Sequence, residues 1–314
     1  MWPLAAFGQE APQSPLVAVL SPLSSEAATP NIEALREGFR DLGYIEGKNF
    51  VLELRYGNGM PELMAREAAE LVSLKPAVIL TGSEAGILAV HNATSTIPIV
   101  MTGVIRDPVT LGLVKSIRRP GGNITGTWIY GDGALFGKRL ELLKDAVPGA
   151  TQIGVLVNPG DPTDDIALKL LPPAAEQLGV VLHIIEVREA ADFATAFSAA
   201  SRAGAQALFV SQSPLFNSHR TEVAAAAVKE RLPAVYGFHQ FAEAGGLMSY
   251  GTSLPDVYRR SAALVDKILH DTSPGDLPIE IPTRYELVLN EKAAEAIGFT
   301  FPPMLLARAD EVLE

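Results

Sequence analysis

Ser83, Glu84, Thr102 and Asp107 carry the most reactive pattern in the chain. The apolar run Ala77-Val78-Ile79-Leu80 passes directly into Thr81-Gly82-Ser83-Glu84. A second run, Ile99-Val100-Met101, passes into Thr102-Gly103 and then into Asp107-Pro108. A continuous apolar run reads as a buried strand, and in an open parallel sheet ligands lie just past the carboxyl ends of such strands. Gly82, Ser83 and Glu84 would present backbone N–H groups and the positive end of a helix dipole to an anion such as a carboxylate; the alternative for Ser83 is simple helix capping. Asp107 is placed to pair with a ligand ammonium, or else to form a turn. Three further strand-end loops add polar candidates: Ser21 and Ser24 around Pro22-Leu23, Asn158 before Pro159-Gly160-Asp161-Pro162, and Ser211 and Ser213 around Gln212. Tyr130, Phe216, Tyr236, Phe238 and Tyr250 are candidates for a stacking wall, with a share of them expected in the core.

Several chemistries have no residues to perform them. Without cysteine there is no disulfide, thiolate nucleophile, Cys-ligated zinc or lipidated Cys. The five histidines, His91, His183, His219, His239 and His270, are far apart and none has a partner four residues on, so no metal is expected. Neither G-x-x-x-x-G-K-[ST] nor a strand-following G-x-G-x-x-G occurs, and Gly82-Ser83-Glu84-Ala85-Gly86 sets its serine one position early for a nucleophile elbow. The expectation is therefore no cofactor and no catalysis. A formal net charge of -11 and the lack of a basic cluster argue against nucleic acid and against an anionic membrane surface.

The elements that must hold these residues alternate. The 314 residues, 48% hydrophobic and 19% charged, suffice for two cores. Strands are expected at 16–20, 50–56, 77–80, 99–101 and 124–128. The first helix carries Ile32, Leu35, Phe39 and Leu42 on one face, with Asn31 or Thr29 as its cap. Another helix opens at Pro61, a short one is expected at about 110–117, and an amphipathic one at 137–147. A second set of β-α units follows, with strands at 153–157, 180–187, 207–210, 234–236 and 247–250. The sets echo each other: Pro76-Ala77-Val78-Ile79-Leu80-Thr81-Gly82-Ser83 aligns without gaps on Gln206-Ala207-Leu208-Phe209-Val210-Ser211-Gln212-Ser213. The fold class predicted is α/β, two Rossmann-like, doubly wound parallel-sheet domains with a cleft between their strand ends. Too few residues remain for a third core, so helix 256–270 returns to the first domain and the strand from Tyr285 to the second. Domain one is 16–127 plus 252–280 and domain two 128–251 plus 281–314, joined by a stiff three-strand hinge at about 127–130, 250–254 and 279–284. Residues 1–15, with Ala6-Phe7-Gly8 in the small-x-small form of a cleavage site, read as a signal-peptide remnant.

The chain also resembles a known family. The matching segments are Arg36-Glu37-Gly38-Phe39-Arg40-Asp41-Leu42-Gly43-Tyr44, Ala93-Thr94-Ser95-Thr96-Ile97-Pro98-Ile99-Val100 and Arg119-Pro120-Gly121-Gly122-Asn123-Ile124-Thr125-Gly126. Further on they include Lys138-Arg139-Leu140-Glu141-Leu142-Leu143-Lys144, Ala244-Gly245-Gly246-Leu247-Met248-Ser249-Tyr250-Gly251 and the ending Pro303-Met304-Leu305-Leu306-Ala307-Arg308-Ala309-Asp310-Glu311-Val312. Jointly they resemble the substrate-binding proteins of ABC transporters, whose members include binders of tryptophan, tyrosine or phenylalanine. The resemblance implies a type I periplasmic binding protein fold that closes on a small solute, an amino acid or aromatic acid, and presents it to an ABC permease in the inner membrane. It implies a periplasmic protein, with a monomer as the default state. A ligand sensor for a signalling receptor, or a small hydrolase or transferase on the same fold, are the alternatives. Ile105-Arg106 departs from the small residues usual before the Asp-Pro pair, so Arg106 is expected to narrow the pocket or to supply a cation for an anionic ligand.

Overall fold

The structure, a computed structural model, describes residues 14–129 and 134–314. Tyr130 and most of the expected signal remnant lie outside the described residues. The first β-α run gives β1 (Leu16–Ser21), α1 (Ser25–Asp41), β2 (Val51–Tyr56), α2 (Pro61–Ser73), β3 (Val78–Thr81), α3 (Glu84–Ala93), β4 (Ile99–Val104) and β5 (Ile124–Trp128). These five strands form one parallel sheet in the order β2-β1-β3-β4-β5. On β1, Val17 and Val19 face α1 and Phe39, while Ala18 and Leu20 face α2 and Met64. Helices cover both faces, so both sets of alternating side chains are apolar and the strand reads as an unbroken apolar run.

The second run gives α4 (Ala134–Ala146), β6 (Gln152–Val157), α5 (Asp164–Leu178), β7 (Val181–Glu186), α6 (Phe193–Arg202), β8 (Ala207–Val210), α7 (Pro214–Ser218), α8 (Arg220–Lys229), β9 (Ala234–Tyr236), α9 (Gln240–Glu243) and β10 (Met248–Gly251). The tail supplies α10 (Leu254–Leu269), β11 (Glu286–Asn290), α11 (Glu291–Ile297), α12 (Pro303–Leu306) and β12 (Glu311–Leu313). The second sheet runs β12-β11-β10-β9-β8-β6-β7. Its part β7-β6-β8-β9-β10 repeats the order of the first sheet strand for strand. The aligned stretches of sequence are β3 and β8, which hold equivalent positions. Among the described residues only the β10–β11 pairing is antiparallel.

Three passages of chain link the sheets. β5 leads into α4; β10 leads into α10, which packs along α1 on the first sheet. Glu280 then pairs beside Thr127 before the chain enters β11.

Two local expectations need correction. The first helix begins at Ser25, capped by Ser24, whose Oγ accepts from the Ala27 N–H at 3.2 Å. Thr29-Pro30-Asn31 looks like a helix start because Pro favours the first turn, yet Pro30 lies inside the helix. Residues 110–117 form turns rather than a helix. Gly112 there has φ +72°, a left-handed value that ends helical geometry after one turn.

Candidate functional site

The ends of β1, β3 and β4 face those of β6, β8 and β9 across a cleft. The lips touch. Ser24 N–H donates to Ser218 Oγ at 3.3 Å, and Arg220 Nη1 donates to the Ala27 carbonyl at 3.3 Å. Between them lies a void of about 40 Å³.

On the first-sheet side, Gly82 and Ser83 form the lip at the start of α3, with Thr102 of β4 beside them. They are close: a Cβ added at Gly82 would lie 3.2 Å from Thr102 Oγ1. Ser83 Oγ accepts from the Gly86 N–H at 3.2 Å, so the capping role is real. Its backbone, at φ +59° and ψ 159°, sits in a region that is nearly glycine-only and costs about 1–3 kcal/mol. Thr102 Oγ1 is buried and makes no hydrogen bond. The Tyr258 hydroxyl comes near it from α10; burial pushes that hydroxyl up in pKa, and Thr102 pulls the other way. A buried hydroxyl left without a partner at the wall of a void is a demand for one.

Amides and apolar side chains complete the walls. Asn31 of α1 accepts from Gln240 Nε2 across the cleft at 3.4 Å, and Gln240 Oε1 is buried with no partner. Gln212, after β8, is held at both ends of its amide: Oε1 accepts from Arg139 Nη2 at 3.1 Å, and Nε2 donates to the Gly237 carbonyl at 3.3 Å. Arg139 is fully buried over the Phe209 ring and also donates from Nε to the Tyr250 carbonyl. Ile105, Leu254, Pro214 and Phe238 supply apolar surface. The mixture of apolar wall and few convergent polar groups is typical of small-molecule sites.

Acidic groups gather next to this void. Glu84 Oε1 accepts from Arg106 Nη1 at 2.7 Å, while Oε2 is buried without a partner. Burial pushes the Glu84 carboxyl up, with Arg106 opposing. On the facing lip, burial also raises Asp161, and it raises Asp164 to about 8. Asp164 Oδ2 accepts from Asn158 N–H at 2.5 Å and from Ser211 Oγ at 2.8 Å.

Of the residues picked from the sequence, Gly82, Ser83, Thr102 and Phe238 line the main void, and Asn158 lines a smaller one beside it with Ser83 and Asp161. Other hydroxyls shape loops. Ser21 Oγ accepts from the Leu23 N–H, Ser24 caps α1, Ser211 serves Asp164, and Ser213 accepts from the Leu215 N–H and bonds Asp161. Asp107 stands outside the void, both its oxygens taken by the Val109 N–H and the Thr110 hydroxyl, so it forms a turn. Arg106 Nη1 bonds Glu84 Oε1, and Ile105 rather than Arg106 lines the void. Phe216 packs on Phe193 in the second core, and Tyr236 stacks on Phe241 at 4.5 Å, because both point between sheet and helices. Tyr250 lies near Tyr285 and Trp128 in a separate groove at the chain passages between the sheets. Sequence reasoning missed Asn31, hidden by the misplaced cap, and Asn217, Leu254 and Tyr258, whose helical spacing looks like ordinary packing. It also passed over Gln212 and Asp161, although both lie in loops it had singled out. Among the described residues no three His, Asp or Glu side chains converge as metal ligands.

Comparison with known proteins agrees with this architecture. The tyrosine-binding protein of Clostridioides difficile is 29% identical over 274 residues, covering 85% of this chain and 77% of that protein. The crystal structure of a conserved domain protein from Vibrio cholerae is 29% identical with a TM-score of 0.87, covering 96% of this chain and all of the other. An ABC domain from Streptococcus pneumonia in complex with L-Trp superposes with a TM-score of 0.85 at 20% identity, covering 96% of this chain and 100% of that one. More distant periplasmic binding proteins share the fold. Residues 16–313 match the family described as ABC transporter substrate binding protein, and the chain belongs to that family.

Proposed function

We propose that this chain is the solute-capturing component of an ABC importer and that it holds a small amino acid-like or aromatic carboxylate in the cleft, without turning it over. The observation that carries the reading is Thr102 Oγ1, buried and unpartnered beside the Gly82–Ser83 lip. A carboxylate oxygen placed there accepts from the hydroxyl and from backbone N–H groups at the start of α3, with the helix dipole adding roughly half a positive charge. The apolar wall of Ile105, Leu254 and Phe238 takes the ligand's side chain. The tyrosine-binding and tryptophan-bound relatives support an amino acid-like ligand.

Capture proceeds by closure. Residues 16–127 plus 252–280 form one unit and 128–251 plus 281–314 the other, and they rotate about the three passages of chain between them. The protein works as a monomer in the periplasm, exported there, and delivers its solute to a permease of the inner membrane. Within the described residues no helix is long and apolar enough to cross a membrane, in keeping with a protein that meets the permease from outside.

A thermal-shift screen of amino acids and aromatic acids tests the reading. A ligand at about a hundredfold excess over its Kd stabilises by about 2.7 kcal/mol, which raises Tm by several degrees. Stabilisation by amides and alcohols but by none of the corresponding carboxylates would refute it.

A further inference from the structure

The groove at the chain passages between the sheets is larger than the cleft void. It is an open space of about 770 Å³ walled by Trp128, Leu135, Lys138, Tyr250, Ile281 and Tyr285, and it shares no lining residue with the cleft void. All three passages contribute. Trp128 ends β5, Tyr250 belongs to β10, and Ile281 and Tyr285 lie between Glu280 and β11.

The walls are fixed by bonds to the rest of the protein. Trp128 Nε1 donates to the Ile105 carbonyl at 2.9 Å, and the Trp128 backbone N–H donates to the Glu280 carbonyl at 2.9 Å. The Tyr250 carbonyl accepts from Nε of the buried Arg139 at 3.1 Å. With its indole N–H spent on Ile105, Trp128 offers the groove an apolar ring. The rings of Tyr250 and Tyr285, 6.3 Å apart and inclined by 44°, do not stack face to face, so ring surface is left for a further partner. Ile281 adds an apolar side chain that is 43% exposed. Apolar surface gathered in a fixed concavity and left in water is the mark of a binding site. So few lining residues suit a small molecule, since a stable protein interface takes about 20–30 residues a side.

Charge sets the class of the occupant. In a chain of net charge -11, Lys138 is the one charged side chain among the described lining residues. Its Nζ meets Glu141 Oε1 at 2.7 Å, with the two side chains 37% and 44% exposed. A pair so open to water is worth little, so the ammonium turns to a ligand anion at small cost.

We infer that this groove is a second ligand site, which takes a small molecule with flat rings and one anionic group. The rings lie against Trp128, Tyr250 and Ile281, and the anion meets Lys138. The site is independent of what the cleft holds.

The test is calorimetric titration with naphthalenesulfonate, beside naphthalenesulfonamide as its uncharged counterpart, on the wild type, Ile281→Asp and Lys138→Met. Both replaced side chains are more than a third exposed, so the fold tolerates the changes. The wild type should bind one sulfonate per chain with a Kd of about 1 mM or below, about threefold or more tighter than the sulfonamide. Ile281→Asp should weaken the sulfonate about tenfold or more, and Lys138→Met should remove the preference for the sulfonate. Absence of binding at about 5 mM overturns the inference. So does an affinity in Ile281→Asp equal to that of the wild type, which would put the probe in the cleft or scattered over the surface. Equal binding of the two probes by the wild type overturns it as well, and that comparison needs no variant.

Discussion

Asp164 makes stability depend on pH in a direction opposite to that of a salt-bridged carboxylate. Its Oδ2 accepts from Asn158 N–H and Ser211 Oγ, but Oδ1 is buried with no partner. Burial, with Asp161 adding its charge, pushes the carboxyl up to about 8. An unfolded Asp titrates near 3.9. Between about 4 and 8 the native state therefore holds one proton more than the unfolded chain, ν_U minus ν_N is negative, and stability falls as pH rises through that window. The limiting slope for one group is about 1.4 kcal/mol per pH unit; sharing of protons with Asp161 and relaxation of the loop reduce it to about 1. Asp164→Asn keeps an oxygen for Asn158 and Ser211 and removes the titration. Urea unfolding followed by circular dichroism at pH 5, 6, 7 and 8 in fixed salt gives both slopes. The slope of the Asn variant should be flatter than that of the wild type by about 1 kcal/mol per unit, so the variant fares relatively better at pH 8 than at pH 5. Glu84 and Asp161 titrate in both proteins, so the difference reports Asp164 together with its coupling to Asp161. Parallel slopes would refute the reasoning.

Arg106→Met leaves Glu84 buried without its cation; with Arg106 about a third exposed, the loss should be about 1–2 kcal/mol at pH 8. It should shrink as pH falls, because burial holds the Glu84 carboxyl above its ordinary range and so favours its protonation; equal urea midpoint shifts at low and high pH would count against the pairing. Gly251→Ala places a Cβ 2.0 Å from the Gly237 carbonyl oxygen at the end of β10. Backbone must move there, and a loss of about 3 kcal/mol or more is expected in the melting curve; an unchanged Tm would contradict the tight approach of β9 and β10.

The fold was legible where burial writes itself into local sequence. β1, β3, β4, β6 and β8 are central strands, covered on both faces, and show as unbroken apolar runs. The echo between 76–83 and 206–213 marks equivalent strands, because the same position in a repeated sheet meets the same surroundings. Legibility ended where a distant contact decides. Nothing local tells that Ser24 rather than Thr29 or Asn31 caps α1, or that Glu311–Leu313, half in water, pairs with β11.

The site shows the same division with a sharper cause. Strand ends and helix starts are local features, so Gly82, Ser83 and Thr102 could be picked without coordinates. Whether a hydroxyl faces the ligand or serves the protein depends on which buried group needs a donor. Ser211 and Ser213 have the same sequence context as their counterparts in the first unit, yet they bond Asp164 and Asp161, acids with no counterpart in the loop after β1. Buried carboxylates recruit the nearest donors, and the second lip thereby becomes acidic while the first keeps a free hydroxyl at Thr102. The duplication supplies two similar lips; the aspartates of the β6–α5 loop give the cleft a polarity.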